Sequence, residues 1–103
     1  MEKVVVTRHK ALVKYLEDKG LVDKDAIVIE HASADDVKGK EVIGVLPMGL
    51  AALAESVTVV DMDVPADKRG KELGLEDIYL YVTGIRKYKV EMIEEILDNE
   101  IEF

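Results

Sequence analysis

The sequence predicts an α/β fold: one Rossmann-like, three-layer domain, residues 1–103, with a mainly parallel sheet of four or more strands. Two observations carry this prediction. Short, nearly continuous runs of Val and Ile recur along the chain, the pattern of strands buried on both faces. Each run is followed by a stretch with helix start and stop residues, and such alternation implies parallel strands joined by right-handed crossovers. A chain of 103 residues holds one such unit and not two.

Residues 3–7 read as the first buried strand. A helix over 9–19 follows, with Leu12, Val13, Tyr15 and Leu16 as its apolar stripe and Gly20 as its stop. Residues 26–30 form a second buried strand. Ser33 is placed to cap a short helical turn that Gly39 ends. Val42 to Leu46 is the third strand, and Pro47 suits the first position of a helix over 48–55. Val57 to Val64 is the fourth strand, and 65–74 is a polar loop containing Pro65, Gly70 and Gly74. Glu76 to Val82 reads as helical, and Val90, Ile93, Ile96 and Leu97 recur at helical spacing in the tail from 89 to 98. The expected order is therefore βαβαβαβ followed by helices.

Composition narrows the function. Hydrophobic residues make up 49% of the chain, enough for a core. With four Tyr, one Phe and no Trp, no stacking platform for single-stranded nucleic acid is evident. The absence of Cys removes disulfides and thiolate metal sites and fits a reducing compartment. Met1-Glu2-Lys3 runs straight into a strand, and no apolar run reaches the ~20 residues of a membrane span, so a cytoplasmic protein without a membrane partner is expected. A net charge of −8 argues against duplex nucleic acid, which is held through many phosphate contacts. It leaves room for a small anion in a local basic cluster.

Such clusters fall at strand ends. Arg8-His9 follows the first strand, where backbone N–H groups and a helix dipole favour anions and a guanidinium suits phosphate. His31 follows the second strand, either as a ligand group or as a simple cap. If these strands are parallel neighbours, Arg8, His9 and His31 converge outside one sheet edge, where open α/β sheets bind ligands. At Leu46-Pro47-Met48-Gly49 the N–H groups of residues 48–50 would point at the same crevice. Lys68-Arg69-Gly70-Lys71 can fold over that edge or stand as a solvated turn. No glycine-rich dinucleotide fingerprint or P-loop occurs, so a nicotinamide or nucleoside-triphosphate enzyme is not expected. Asp61 and Asp63, two apart on a strand, share a face and could hold Mg²⁺, yet they would compete with the basic cluster. No metal and no cofactor is expected. The acidic tail, Glu91, Glu94, Glu95, Asp98, Glu100 and Glu102, reads as a solvated helix face.

Several of these pieces fall into a familiar order. Val4-Val5-Val6-Thr7-Arg8-His9 with Ala11-Leu12-Val13, then Glu30-His31-Ala32, then Asp36-Val37 through Gly39-Lys40 to Val42-Ile43-Gly44-Val45-Leu46-Pro47 and Leu50-Ala51, then Arg69-Gly70 with Glu72-Leu73, resemble a family of small accessory proteins of type III CRISPR loci. The likeness runs from residue 4 to about residue 90. It implies a Rossmann-like homodimer with ring-nuclease activity on cyclic tetra-adenylate, a cyclic oligoadenylate second messenger. The positions carried over are Thr7, Arg8, His9, His31, Pro47 and Arg69. By chemistry Arg8, His9 and His31 are the expected catalytic residues, with Thr7, Pro47, Met48, Gly49 and Arg69 binding substrate. A binding module that sequesters the messenger would share all of these residues, whereas an interaction protein of the effector complex would use the acidic tail as its docking surface.

Overall fold

A computed structural model describes residues 2–97. Asp98, Glu100 and Glu102 of the acidic tail lie outside them, as does Met1. The elements in chain order are β1 (Lys3–Val6), α1 (Lys10–Asp18), β2 (Ile27–Ile29), α2 (Ala34–Val37), β3 (Glu41–Gly44), α3 (Met48–Ala51), β4 (Ser56–Met62), a single 3₁₀ turn (Ala66–Lys68), α4 (Leu75–Tyr81) and β5 (Val82–Tyr88). The sheet order is β2-β1-β3-β4-β5. The first four strands are parallel, and β5 runs antiparallel to β4. This is the mainly parallel α/β sheet that the sequence predicts.

Alternation along the strands divides the core into two. Val4, Val6, Val42 and Val57 pack with Val37 of α2 and Ala51 of α3 on one face. Val5 and Ile43 pack with Leu12, Tyr15 and Leu16 of α1 and Ile78 of α4 on the other. Burial on both faces is why β1 is an unbroken Val4-Val5-Val6 run rather than an alternating one. Val4, Val5, Leu16 and Ile78 are at most 1% exposed, and each such side chain contributes roughly 1.5–3 kcal/mol of transfer free energy. Tyr15 and Tyr79 meet edge to face, 4.8 Å between ring centroids, and join α1 to α4.

The chain leaves β1 in one direction to reach β2 and leaves β3 in the other to reach β4. The switch point lies between β1 and β3, where an open α/β sheet forms its crevice. Gly44 ends β3 opposite Val6, with φ 138°. A Cβ there would overlap the Val6 carbonyl oxygen and stand 3.0 Å from its carbon, so only glycine lets the central strands close at this end.

Four expectations are corrected. Val82, expected as the last helical residue, instead opens an antiparallel strand, Val82–Tyr88, which pairs with Val57 to Met62 of β4. Residues 89–97 are not helical; Ile93 and Ile96 stand exposed with no surface beneath them, and spacing alone does not sustain a helix. The second strand is the sheet edge rather than a buried strand, with Ile27 46% and Val28 45% exposed. Pro47 is the residue before α3, not its first helical position, and α3 is a four-residue turn. Among the described residues no helix is long and apolar enough to cross a membrane.

Candidate functional site

The carboxyl ends of β1 to β4 share one edge, and a cavity of about 590 Å³ opens there beside the switch point. Its walls are Arg8 and His9 after β1, Met62 and Val64 at the end of β4, and residues 68–73 of the strap that leads to α4. Met62 and Leu73 also pack on the α1/α4 core, which places the cavity on that face of the sheet. Arg8, Lys68, Arg69 and Lys71 make the lining cationic, on a chain whose net charge is −8.

The turn after β1 is built by its sequence. The Thr7 N–H donates to the Ile29 carbonyl at 3.0 Å, extending the β1–β2 ladder by one residue. The Thr7 hydroxyl then accepts the His9 N–H at 3.1 Å, which bends the chain into α1. The side chain of His9, the residue before α1, makes no capping bond, and the first turn holds no acidic residue. The positive end of the α1 dipole is therefore left for an anion.

The strap is tied down at several points. The Arg69 Nε donates to the Val64 carbonyl at 3.0 Å, and among the described residues its two terminal nitrogens have no partner, which suits them to grip phosphate. The Lys68 Nζ is 3.1 Å from the Asp77 carboxylate and lies over the Tyr81 ring. Asp77 also accepts the Gly74 N–H at 3.0 Å, closing the start of α4. That N–H bond first, and Lys68 second, hold the Asp77 carboxyl below the ordinary carboxylate range; Asp77 in turn raises Lys68. Asp36 is lowered in the same way, by the Ser33 N–H at the start of α2.

Of the residues named from sequence, Arg8, His9 and Arg69 line this one cavity, and Thr7 shapes its turn. His31 lies beyond β2, on the far side of β1 from the strap, and is not part of the lining. Met48 and Gly49 line a second, apolar groove of about 640 Å³ with Lys89 to Met92, on the α3 side of the sheet. The expectation that the N–H groups of 48–50 are all free for a ligand is corrected at Leu50, which donates to the Pro47 carbonyl at 3.0 Å. Asp61 is ion-paired with Arg86 at 2.6 Å, and among the described residues no three His, Asp or Glu side chains gather as a metal site. Sequence reasoning missed Asp77 and Gly44. A Gly-x-x-Asp spacing before an apolar helical run was the signal for the first, and a glycine ending a buried strand was the signal for the second.

Residues 4–91 match the sequence family described as "Putative CRISPR-associated protein (Cas_VVA1548)". The chain belongs to this family of CRISPR-associated proteins. The matched span takes in the whole sheet except Lys3, the first residue of β1, and every wall of the cationic cavity, so these features belong to the CRISPR-associated domain itself. No curated protein and no solved structure matches the chain.

Proposed function

We propose that this CRISPR-associated protein is a metal-independent ring nuclease that cleaves cyclic tetra-adenylate and so ends type III CRISPR signalling. The observation that carries the reading is the cationic cavity at the carboxyl edge, with Arg8 and His9 opposite the Lys68-Arg69-Gly70-Lys71 strap on an acidic chain. A concave basic centre accepts a small ring of phosphates, while the acidic exterior repels long RNA.

In the reaction a ribose 2′-oxygen forms a bond to the adjacent phosphorus and the bond from phosphorus to the 5′-oxygen breaks. The products are a 2′,3′-cyclic phosphate and a 5′-hydroxyl. The 2′-OH proton leaves to a base, and an acid protonates the departing 5′-oxygen. The nucleophile is already in the substrate, so alignment and charge stabilisation account for most of the catalysis. Arg8 and the free end of Arg69 hold the phosphate oxygens. His9, at the start of α1 beside Arg8, transfers the proton. His31 and the Pro47-Met48-Gly49 turn lie outside this cavity and take no step in the reaction as written. In a homodimer the ring sits on the two-fold axis, and the exposed apolar segment Met92 to Leu97 supports such an association.

Incubation with cyclic tetra-adenylate in EDTA, with products separated by chromatography, tests the reading. Linear products with 2′,3′-cyclic phosphate ends are expected, and unchanged ring at stoichiometric protein refutes catalysis. One observation favours sequestration without cleavage: His9 and His31 are exposed, and among the described residues no side chain fixes either imidazole. Tight binding without turnover, unaffected by replacing either histidine, is the result that reading requires.

A further inference from the structure

The cavity that binds the anion contains one acid. Glu72 lines it among Arg8, Lys68, Arg69 and Lys71. A carboxylate beside phosphate-binding cations opposes phosphate binding, so charge alone gives no reason for it to be there. Nor does it serve the strap. Lys68 is paired with Asp77, and the Arg69 Nε is spent on the Val64 carbonyl. Among the ion pairs of the described residues, none includes Glu72.

The surroundings of Glu72 are also of two kinds. Met62, Val64 and Leu73 supply an apolar wall within the same cavity. A ligand that suits cations, an apolar wall and one acceptor carries phosphate, a flat ring and a hydrogen-bond donor together. We propose that Glu72 is the residue with which this cavity reads a nucleobase, its carboxylate accepting from the exocyclic amino group of a base laid against Met62, Val64 and Leu73. The inference rests on the ring-nucleotide reading of the cavity and adds its specificity determinant.

The strap is held firmly enough for such discrimination. Lys68 and Lys71 close short backbone turns, Lys68 N–H to the Pro65 carbonyl at 2.9 Å and Lys71 N–H to the Lys68 carbonyl at 3.3 Å. The Gly74 N–H is fixed on Asp77 two residues after Glu72. These bonds hold the backbone on both sides of Glu72, whose carboxylate is exposed until a ligand covers it. A base that covers it without offering the matching donor leaves that desolvation uncompensated.

The test uses two cyclic tetranucleotides that cannot be cut because fluorine replaces each 2′-OH. One carries adenine and the other carries purine, in which hydrogen replaces the 6-amino group. Kd is measured for each by calorimetry with the wild-type protein, Glu72→Ala and Glu72→Gln. The wild type binds the adenine ring about tenfold more tightly, the scale of one edge contact to a base. Glu72→Ala binds the two rings equally, while Glu72→Gln, whose amide oxygen still accepts, keeps the preference. Equal affinities in the wild type, or a preference that survives in Glu72→Ala, overturn the assignment. Equal wild-type affinities together with normal cleavage of cyclic tetra-adenylate overturn only the role of Glu72. Failure of the wild type to bind either ring, or cyclic tetra-adenylate itself, overturns the cavity's function as well.

Discussion

Replacing Gly44 by Ala tests whether the crevice floor is set by backbone contact between β1 and β3. Gly44 has φ 138°, where an L-residue pays roughly 1–2 kcal/mol. The new Cβ would also overlap the Val6 carbonyl, which is backbone of the central strand and cannot swing aside. Overpacking of that kind costs about 1–3 kcal/mol more. The total is roughly 2–5 kcal/mol, a large share of the ~5–15 kcal/mol that holds a domain folded. For a domain of this size each kcal/mol moves Tm by about 4–8 °C, so a loss near 3 kcal/mol lowers it by roughly 12–24 °C. Gly20→Ala is the control. Gly20 has φ 71° and nothing within 4 Å of its would-be Cβ, so it pays the conformational cost alone. Thermal unfolding followed by circular dichroism measures both variants. If Gly44→Ala melts within a few degrees of Gly20→Ala, the close approach to Val6 does not govern this end of the sheet.

Arg8→Ala removes an exposed side chain from the cavity wall, so Tm should hold to within about 0.5 kcal/mol of stability while ring cleavage falls at least tenfold; a large drop in Tm would make Arg8 structural. Asp77 is lowered in the folded state, so its stabilisation is present above the ordinary carboxylate pKa and is lost as pH falls through the folded value. Asp77→Asn should therefore flatten the decline of the urea midpoint below about pH 4, and an unchanged pH profile would count against the capping role. Pairing Ile93→Glu with Ile96→Glu should shift sedimentation toward the monomer, because these side chains are 99% and 85% exposed and apolar. A distribution identical to wild type would exclude this segment from a dimer contact.

Local pattern revealed what local physics decides. The Val4-Val5-Val6 run, the Gly20 stop and the Ser33 start all stand where the residues indicate, because burial on two faces, a left-handed backbone and a side-chain acceptor each act within a few positions. Position in the sheet is not a local property. Ile27-Val28-Ile29 has the composition of a central strand and occupies the edge. Residues 82–88 are hard to read as a strand because β5 starts directly after Tyr81 and the one breaker, Gly84, falls inside the strand rather than before it. At the site, Arg8, His9 and the strap were legible as basic clusters flanking strands. The separation of His31 and Met48 from them was not. It follows from which side of β1 each strand lies and which face each crossover takes, and only the assembled sheet fixes those.

The placement of β1 also bears on how the protein is made. Val4 and Val5 lie fully buried in an interior strand of the sheet, yet they are translated before either neighbouring strand. Val5 pairs with Val28 on one side and Ile43 on the other. At ~5–20 residues per second, the ribosome needs roughly 2–8 s to supply the about forty residues from Val5 to its second partner. Until then Val5 lacks the partner that covers its second side. The parallel arrangement that puts Arg8 and His9 at the carboxyl end of an interior strand thus makes β1 a strand that waits for both of its neighbours.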